Sequence, residues 1–273
     1  MMLRHPLKSV TGFVSTLAML GVLGYGGVAA LFYWGQDKLI FNPTVLPSAY
    51  SSALPDVIEV SVPVEGATLS ALHFKQSHPK GVVFFLHGNA GNLATWVLDT
   101  DFYRRNNYDL FIIDYRGFGK STGRIESEAQ LHADVLTAWN FITPQYEGRK
   151  RVIFGRSLGA TLAAKLSTKV TADWTVLVSP FYSLDAMRQQ YYPWLPAALM
   201  RYKFSTDEWL PIIKTPVTIV HGKIDALINI SQAERLKVLT PKVELIEIEG
   251  GDHLNLHHLA TYLDALSDRL GKL

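Results

Sequence analysis

RVIFGRSLGATLAAKL, residues 151–166, decides the fold. Val152, Ile153 and Phe154 form a short apolar run of the kind that a strand buried on both faces carries. Leu158 onward, rich in small residues, reads as a helix. Between them lies Gly155-Arg156-Ser157-Leu158-Gly159, a G-x-S-x-G pentapeptide. A strand that must become a helix within one residue leaves the central serine strained and exposed at the tip. Gly155 and Gly159 remove side chains that would collide at so tight a turn. Ala160, Ala163 and Ala164 let the helix lie close to its sheet, and the helix N-terminus brings positive dipole to Ser157.

Outward from this unit, strand and helix signals alternate. Val57–Val62 and Leu69–Lys75 read as a strand pair turning near Glu65-Gly66. Further strands are expected at Val82–Leu86, Asp109–Asp114, Arg151–Phe154, Thr175–Ser179, Val217–Val220 and Val243–Ile248. Helical spacing lies between them. Ser127 and Gln130 suggest a capping box, followed by Leu131, Val135, Ala138, Trp139 and Ile142. Leu158–Val170, Ser231–Leu239 and Leu256–Leu270 follow. The alternation indicates an α/β domain with a mostly parallel sheet covered on both faces. Phe181–Lys214 is longer than a plain crossover and rich in Tyr and Trp. In such sheets an insertion there lies above the carboxyl ends of the strands, where ligands bind, and suits a small cap. A helix and loop resting on the core or on a membrane is the alternative.

A serine hydroxyl needs a neighbouring base, and nucleophile elbows of this kind are followed in the chain by an acid and then a histidine. His253, in the loop after the last strand, is expected as general base and then general acid. His257 and His258 fall on the following helix; a metal pair of His253 and His257 lacks an HExxH glutamate. Val217–Val220 leads into His221-Gly222-Lys223-Ile224-Asp225, and Asp225 suits the role of holding the imidazole. Asp185 is the alternative acid. Asp252 adjoins His253 but should point away in an extended loop. Two N–H donors are needed for an oxyanion: the Leu158 amide, and the Asn89 amide in the loop His87-Gly88-Asn89-Ala90-Gly91-Asn92.

Composition is permissive. Apolar residues make up 48% of the 273, and 26 basic against 24 acidic residues leave a formal charge of +2. Without a basic cluster, nucleic acid is not an expected partner. The absence of cysteine excludes disulfides, thiolate metal sites and a Cys nucleophile. Ser9–Gln36 contains no Asp, Glu, Lys, Arg or His. Its length exceeds the ~20 apolar residues that a membrane-spanning helix needs. Tyr33 and Trp34 suit an interface, and Arg4 and Lys8 favour a cytoplasmic N-terminus with the rest of the chain across the membrane, periplasmic or lumenal. A cleaved signal peptide ending near Val28-Ala29-Ala30 would have a shorter apolar core. Residues 37–56, with Pro43, Pro47 and Pro55, read as a connector along the domain surface.

HGNAGN at 87–92, DYRGFGKSTG at 114–123, GRSLG at 155–159 and HGKID at 221–225 together resemble Bem46-type α/β-hydrolases, a group classified with serine aminopeptidase-like hydrolases. The resemblance covers most of 37–273 and implies an eight-stranded α/β-hydrolase domain over 57–273 behind an anchor at 1–36, while the short cap expected at 181–214 matches no pattern of the family. It implies Ser157 as nucleophile, Asp225 as acid and His253 as base. It departs at Asp252, where relatives often carry glycine. The expected chemistry is acyl transfer to Ser157 and hydrolysis of the acyl-enzyme, needing neither metal nor organic cofactor. The favoured substrate is a carboxylic ester or thioester with an apolar acyl group, small or lipid-like. A peptidase or amidase of the serine aminopeptidase type and a non-catalytic membrane-tethered binding module are the alternatives.

Overall fold

The computed structural model describes residues 7–52, 54, 56–97 and 100–273; Arg4 and Pro55, invoked above, lie outside them. Eight strands build the main sheet: β1 (Val57–Val64), β2 (Ala67–Phe74), β3 (Gly81–Leu86), β4 (Tyr108–Ile113), β5 (Lys150–Arg156), β6 (Trp174–Val178), β7 (Val217–Gly222) and β8 (Glu244–Ile248). Their spatial order is β8-β7-β6-β5-β3-β4-β2-β1. β2 pairs antiparallel with β1 and β4, and the remaining pairs are parallel. Each strand begins and ends within two residues of its sequence-based bounds.

The longer helices are α1 (Leu7–Ile40), α2 (Glu128–Ile142), α3 (Leu158–Ser167), α4 (Leu184–Tyr191), α5 (Ser231–Leu239) and α6 (Ala260–Lys272). The alternation of side chains along a strand explains the continuous apolar runs. In β3, Val82, Phe84 and Leu86 enter one core with Trp139 of α2 and Leu162 of α3. Val83 and Phe85 enter the opposite core with Leu266 of α6 and Tyr103 of a short helix at Thr100–Arg105. With both faces covered, no position in β3 or β4 is left to water.

Two local readings change in detail. Ser127 caps α2 by accepting from Gln130 N, but Gln130 Oε1 accepts from Glu126 N, so the reciprocal bond reaches one residue further back than a capping box. The last helical segment splits into a 3₁₀ turn at Leu256–His258 and α6; Leu266 and Leu270 are buried, and Leu259 and Leu263 half-buried.

α1 is long and apolar enough from Gly12 to Ile40 to cross a membrane, and Leu17, Leu20 and Leu23 on it are exposed. It continues to Ile40, beyond the expected end at 36, because its last turn is held from the side. Gln36 Nε2 donates to Leu199 O and Gln36 Oε1 accepts from Arg201 N, both at 2.8 Å. Tyr202 Oη donates to Asp37 at 2.6 Å, and Phe41 is buried against the rings of Tyr202 and Phe204.

Candidate active site

Between Arg156, which ends β5, and Leu158, which begins α3, Ser157 sits at φ +55°, ψ −119°. Non-glycine residues avoid that region unless the surroundings enforce it. Here the enforcement is steric and visible. A Cβ on Gly159 would lie 1.9 Å from Leu86 O, and one on Gly155 would lie 2.1 Å from Gly159 O. The two glycines therefore let α3 press against β3 and β5, while Ser157 N is fixed to Val178 O at 2.9 Å.

Asp225 and His253 meet. Asp225 Oδ2 accepts from His253 Nδ1 at 2.8 Å, and Oδ1 accepts from Leu227 N at 3.0 Å and Ile228 N at 2.7 Å. Burial raises the Asp225 carboxyl's pKa, but the His253 ring and the Ile228 N–H outweigh it, so the net shift is downward and the group is ionised at neutral pH. Asp252 opens a turn where an extended loop was expected, and its carboxylate engages backbone N–H groups. Its Oδ1 accepts from Leu254 N and Asn255 N, both at 2.7 Å, closing the turn that presents His253.

Arg156, a variable position of the pentapeptide to which the sequence assigns no role, ties that turn to the elbow. Its Nη2 donates to His253 O at 2.7 Å and Leu254 O at 3.2 Å. Ser157 Oγ and His253 Nε2 share no hydrogen bond in this structure; in serine hydrolases the corresponding bond commonly tightens only around substrate. The alternatives are engaged elsewhere. Asp185 pairs with Arg188 at 2.6 Å, and His257 Nδ1 lies 3.3 Å from Arg156 Nη1. Among the described residues no group of three or more His, Asp or Glu side chains is placed to hold a metal.

The 87–92 loop follows β3 and is strapped from the α1 side. Asn42–Pro43 pairs parallel with Ala90–Gly91, so the connector is a short ladder and more than a surface strand of coil. Asn42 N donates to Asn89 O at 2.8 Å, Asn89 Nδ2 to Ile40 O at 2.9 Å and Asn92 Nδ2 to Thr44 O at 3.0 Å. From beneath, Tyr115 Oη donates to His87 O at 2.7 Å, which gives the 114–123 motif a supporting role. Among the described residues the Asn89 and Leu158 N–H groups have no protein acceptor, and both residues line one cavity with Ser157.

The serine aminopeptidase, S33 family model matches residues 77–206. An uncharacterized protein of Mycobacterium tuberculosis is 31% identical over 217 residues, 76% of each chain. Protein bem46 of Schizosaccharomyces pombe is 28% identical over 239 residues, 77% of this chain and 80% of that one. This chain belongs to the Bem46-type α/β-hydrolase family. Alpha/beta hydrolase domain-containing protein 17C of Xenopus tropicalis is 29% identical over 194 residues, 67% of this chain and 59% of that one. Among solved structures, an esterase from Pyrococcus furiosus superposes with a TM-score of 0.65 at 20% identity, over 85% of this chain and 96% of that one. That likeness speaks for the fold.

In this Bem46-type hydrolase the cavity at Ser157 has a volume of about 330 Å³. Phe181, Leu184, Met187 and Tyr191 from the 181–214 insertion form one wall. Phe32, Gln36, Leu39 and Ile40 of α1 form another. In the sequence these four residues belong to the anchor and the start of the connector. Their apolar run is read as a membrane signal, and nothing in its pattern distinguishes the end of a span from a pocket wall. Of the aromatic insertion residues, Trp209 is instead buried in the core and Tyr182 lies 3.8 Å beneath the Arg235 guanidinium.

Proposed function

We propose that this protein is a membrane-anchored serine hydrolase that cleaves a carboxylic ester or thioester with an apolar acyl group. Ser157 Oγ attacks the acyl carbon as His253 Nε2 takes its proton, and Asp225 stabilises the resulting imidazolium. The Asn89 and Leu158 N–H groups receive the oxyanion. The proton passes from His253 to the departing alkoxide or thiolate, leaving the acyl group on Ser157. Water then gives a proton to His253 and its oxygen to the acyl carbon, releasing the acid and restoring the serine. The hydrogen bond between Asp225 and His253, beside a strained serine at an apolar cavity, carries the reading.

Esters and thioesters are favoured over aminopeptidase substrates by the cavity lining. Among the described residues Arg188 is its one charged side chain, and no carboxylate is present to hold a substrate ammonium. The anchor is residues 1–36, the connector 37–56 and the catalytic domain 57–273 with 181–214 as cap, the N-terminus being cytoplasmic. The α1 length and exposed apolar surface support the anchor. A fluorophosphonate probe tests the nucleophile: labelling of the wild type that is lost in Ser157→Ala supports the proposal, and a folded wild type that resists labelling refutes it. Nitrophenyl esters of rising chain length, run against aminoacyl anilides, then test the substrate class.

A further inference from the structure

The cavity wall contributed by α1 has a consequence for how substrate arrives. α1 is joined to the insertion along its upper half by two ring contacts besides the polar clamp at Gln36 and Asp37. Tyr25 meets Trp194 edge-on at 6.4 Å, with its hydroxyl donating to Trp194 O at 3.3 Å. Phe32 meets Tyr192 at 5.3 Å. Tyr191 Oη in turn donates to Leu227 O at 2.7 Å, joining the insertion to the Asp225 loop. Trp194 and Leu227 are nonetheless 48% and 51% exposed. The outcome is an apolar rim around the cavity mouth that is continuous with the helix proposed to span the bilayer.

Helix geometry places this rim relative to the membrane. With Tyr33 and Trp34 at headgroup level, Tyr25 lies about 12 Å further along the axis, at 1.5 Å per residue. That is inside the hydrocarbon, and Trp194, bonded to Tyr25, is at the same depth. Phe32 then stands at headgroup level and Leu39 about 10 Å further toward water, with the cavity between them and Ser157.

We propose that the 191–194 tip of the insertion is immersed in the leaflet and that the cavity opens sideways into it. The substrate is a membrane-resident ester or thioester whose acyl chain slides along α1 to Ser157 without crossing water. α1 is thus a wall of the binding site as well as a tether. Burial of the exposed apolar rim in lipid removes it from water. The chemistry rests on the proposed hydrolase activity; the membrane seat does not.

The chain contains no cysteine, so one introduced thiol carries a nitroxide label uniquely. Full-length Trp194→Cys and Arg149→Cys, the latter on an exposed turn before β5 at the opposite end of the sheet from Ser157, are labelled in phosphatidylcholine vesicles. The label at 194 should be relaxed by oxygen and shielded from a water-soluble nickel chelate, with the reverse at 149. Equal nickel access at both positions overturns the membrane seat. In a second arm, Trp194→Glu should slow hydrolysis of vesicle-embedded nitrophenyl palmitate by about tenfold or more, because a charge at the rim lifts it from lipid. Hydrolysis of soluble nitrophenyl butyrate should change by less than about twofold, as Trp194 is outside the cavity lining. Equal loss on both substrates, or loss on neither, overturns lateral delivery. A wild type that turns over neither ester refutes the hydrolase reading, while the nitroxide measurement still decides the seat.

Discussion

Asp225→Asn separates the charge of the carboxylate from its shape. Oδ1 accepts two backbone N–H groups, from Leu227 and Ile228. An Asn side chain can satisfy both only with its carbonyl oxygen in that place. Its NH₂ group is then forced into the position of Oδ2, 2.8 Å from His253 Nδ1. A donor there requires an unprotonated Nδ1, so the neutral ring carries its proton on Nε2 and cannot accept one from Ser157. In established Ser-His-Asp sites the same reversal of tautomer lowers turnover by about 10⁴, equivalent to about 5 kcal/mol at 1.36 kcal/mol per decade. The retained backbone bonds predict a melting temperature within a few degrees of the wild type. The assay is kcat/KM on a soluble nitrophenyl ester near pH 7, with thermal unfolding followed on the same sample. A folded Asn variant within about tenfold of wild type would refute the assignment of Asp225.

Gly159→Ala should destabilise the fold by about 3 kcal/mol, because its Cβ would lie 1.9 Å from Leu86 O on a central strand. In thermal denaturation that appears as a drop of roughly 10 °C; an unchanged melting temperature would mean a looser elbow than the one described. Arg156→Met should lower kcat by about ten- to a hundredfold with little change in KM, since Arg156 holds the His253 turn and does not line the Ser157 cavity. A rise in KM alone would contradict that role. Burial holds the His221 imidazole below its ordinary pKa, and its Nε2 donates to Ile228 O while Nδ1 has no hydrogen-bond partner among the described residues. The unfolded chain takes up this proton near pH 6.5 and the native chain only at lower pH. Stability is therefore full above that value and declines as the pH falls below it. The urea midpoint of His221→Gln should decline less steeply than wild type between pH 7 and 5. Asp225 acts at lower pH: its depressed native pKa contributes stability above the unfolded value near 4, lost as the pH falls through the native value.

Periodicity and chain order by themselves determined the sheet and its elbow. Runs such as Val82–Leu86 fit a strand covered on both faces, and the glycines flanking Ser157 mark a turn that a side chain would block. The order of serine, acid and histidine along the chain pointed to His253 and narrowed the acid to Asp225 or Asp185, because each follows a strand whose end must lie at the same rim. What joins residues distant in sequence left no period or motif to read. Arg156 bonding the His253 turn, Asn42–Pro43 pairing with Ala90–Gly91, and Phe32, Gln36, Leu39 and Ile40 walling the cavity all depend on how separate elements pack. The choice between Asp225 and Asp185 was likewise tertiary: both are carboxylates after suitable strands, and only folding brings one to the imidazole and the other to Arg188.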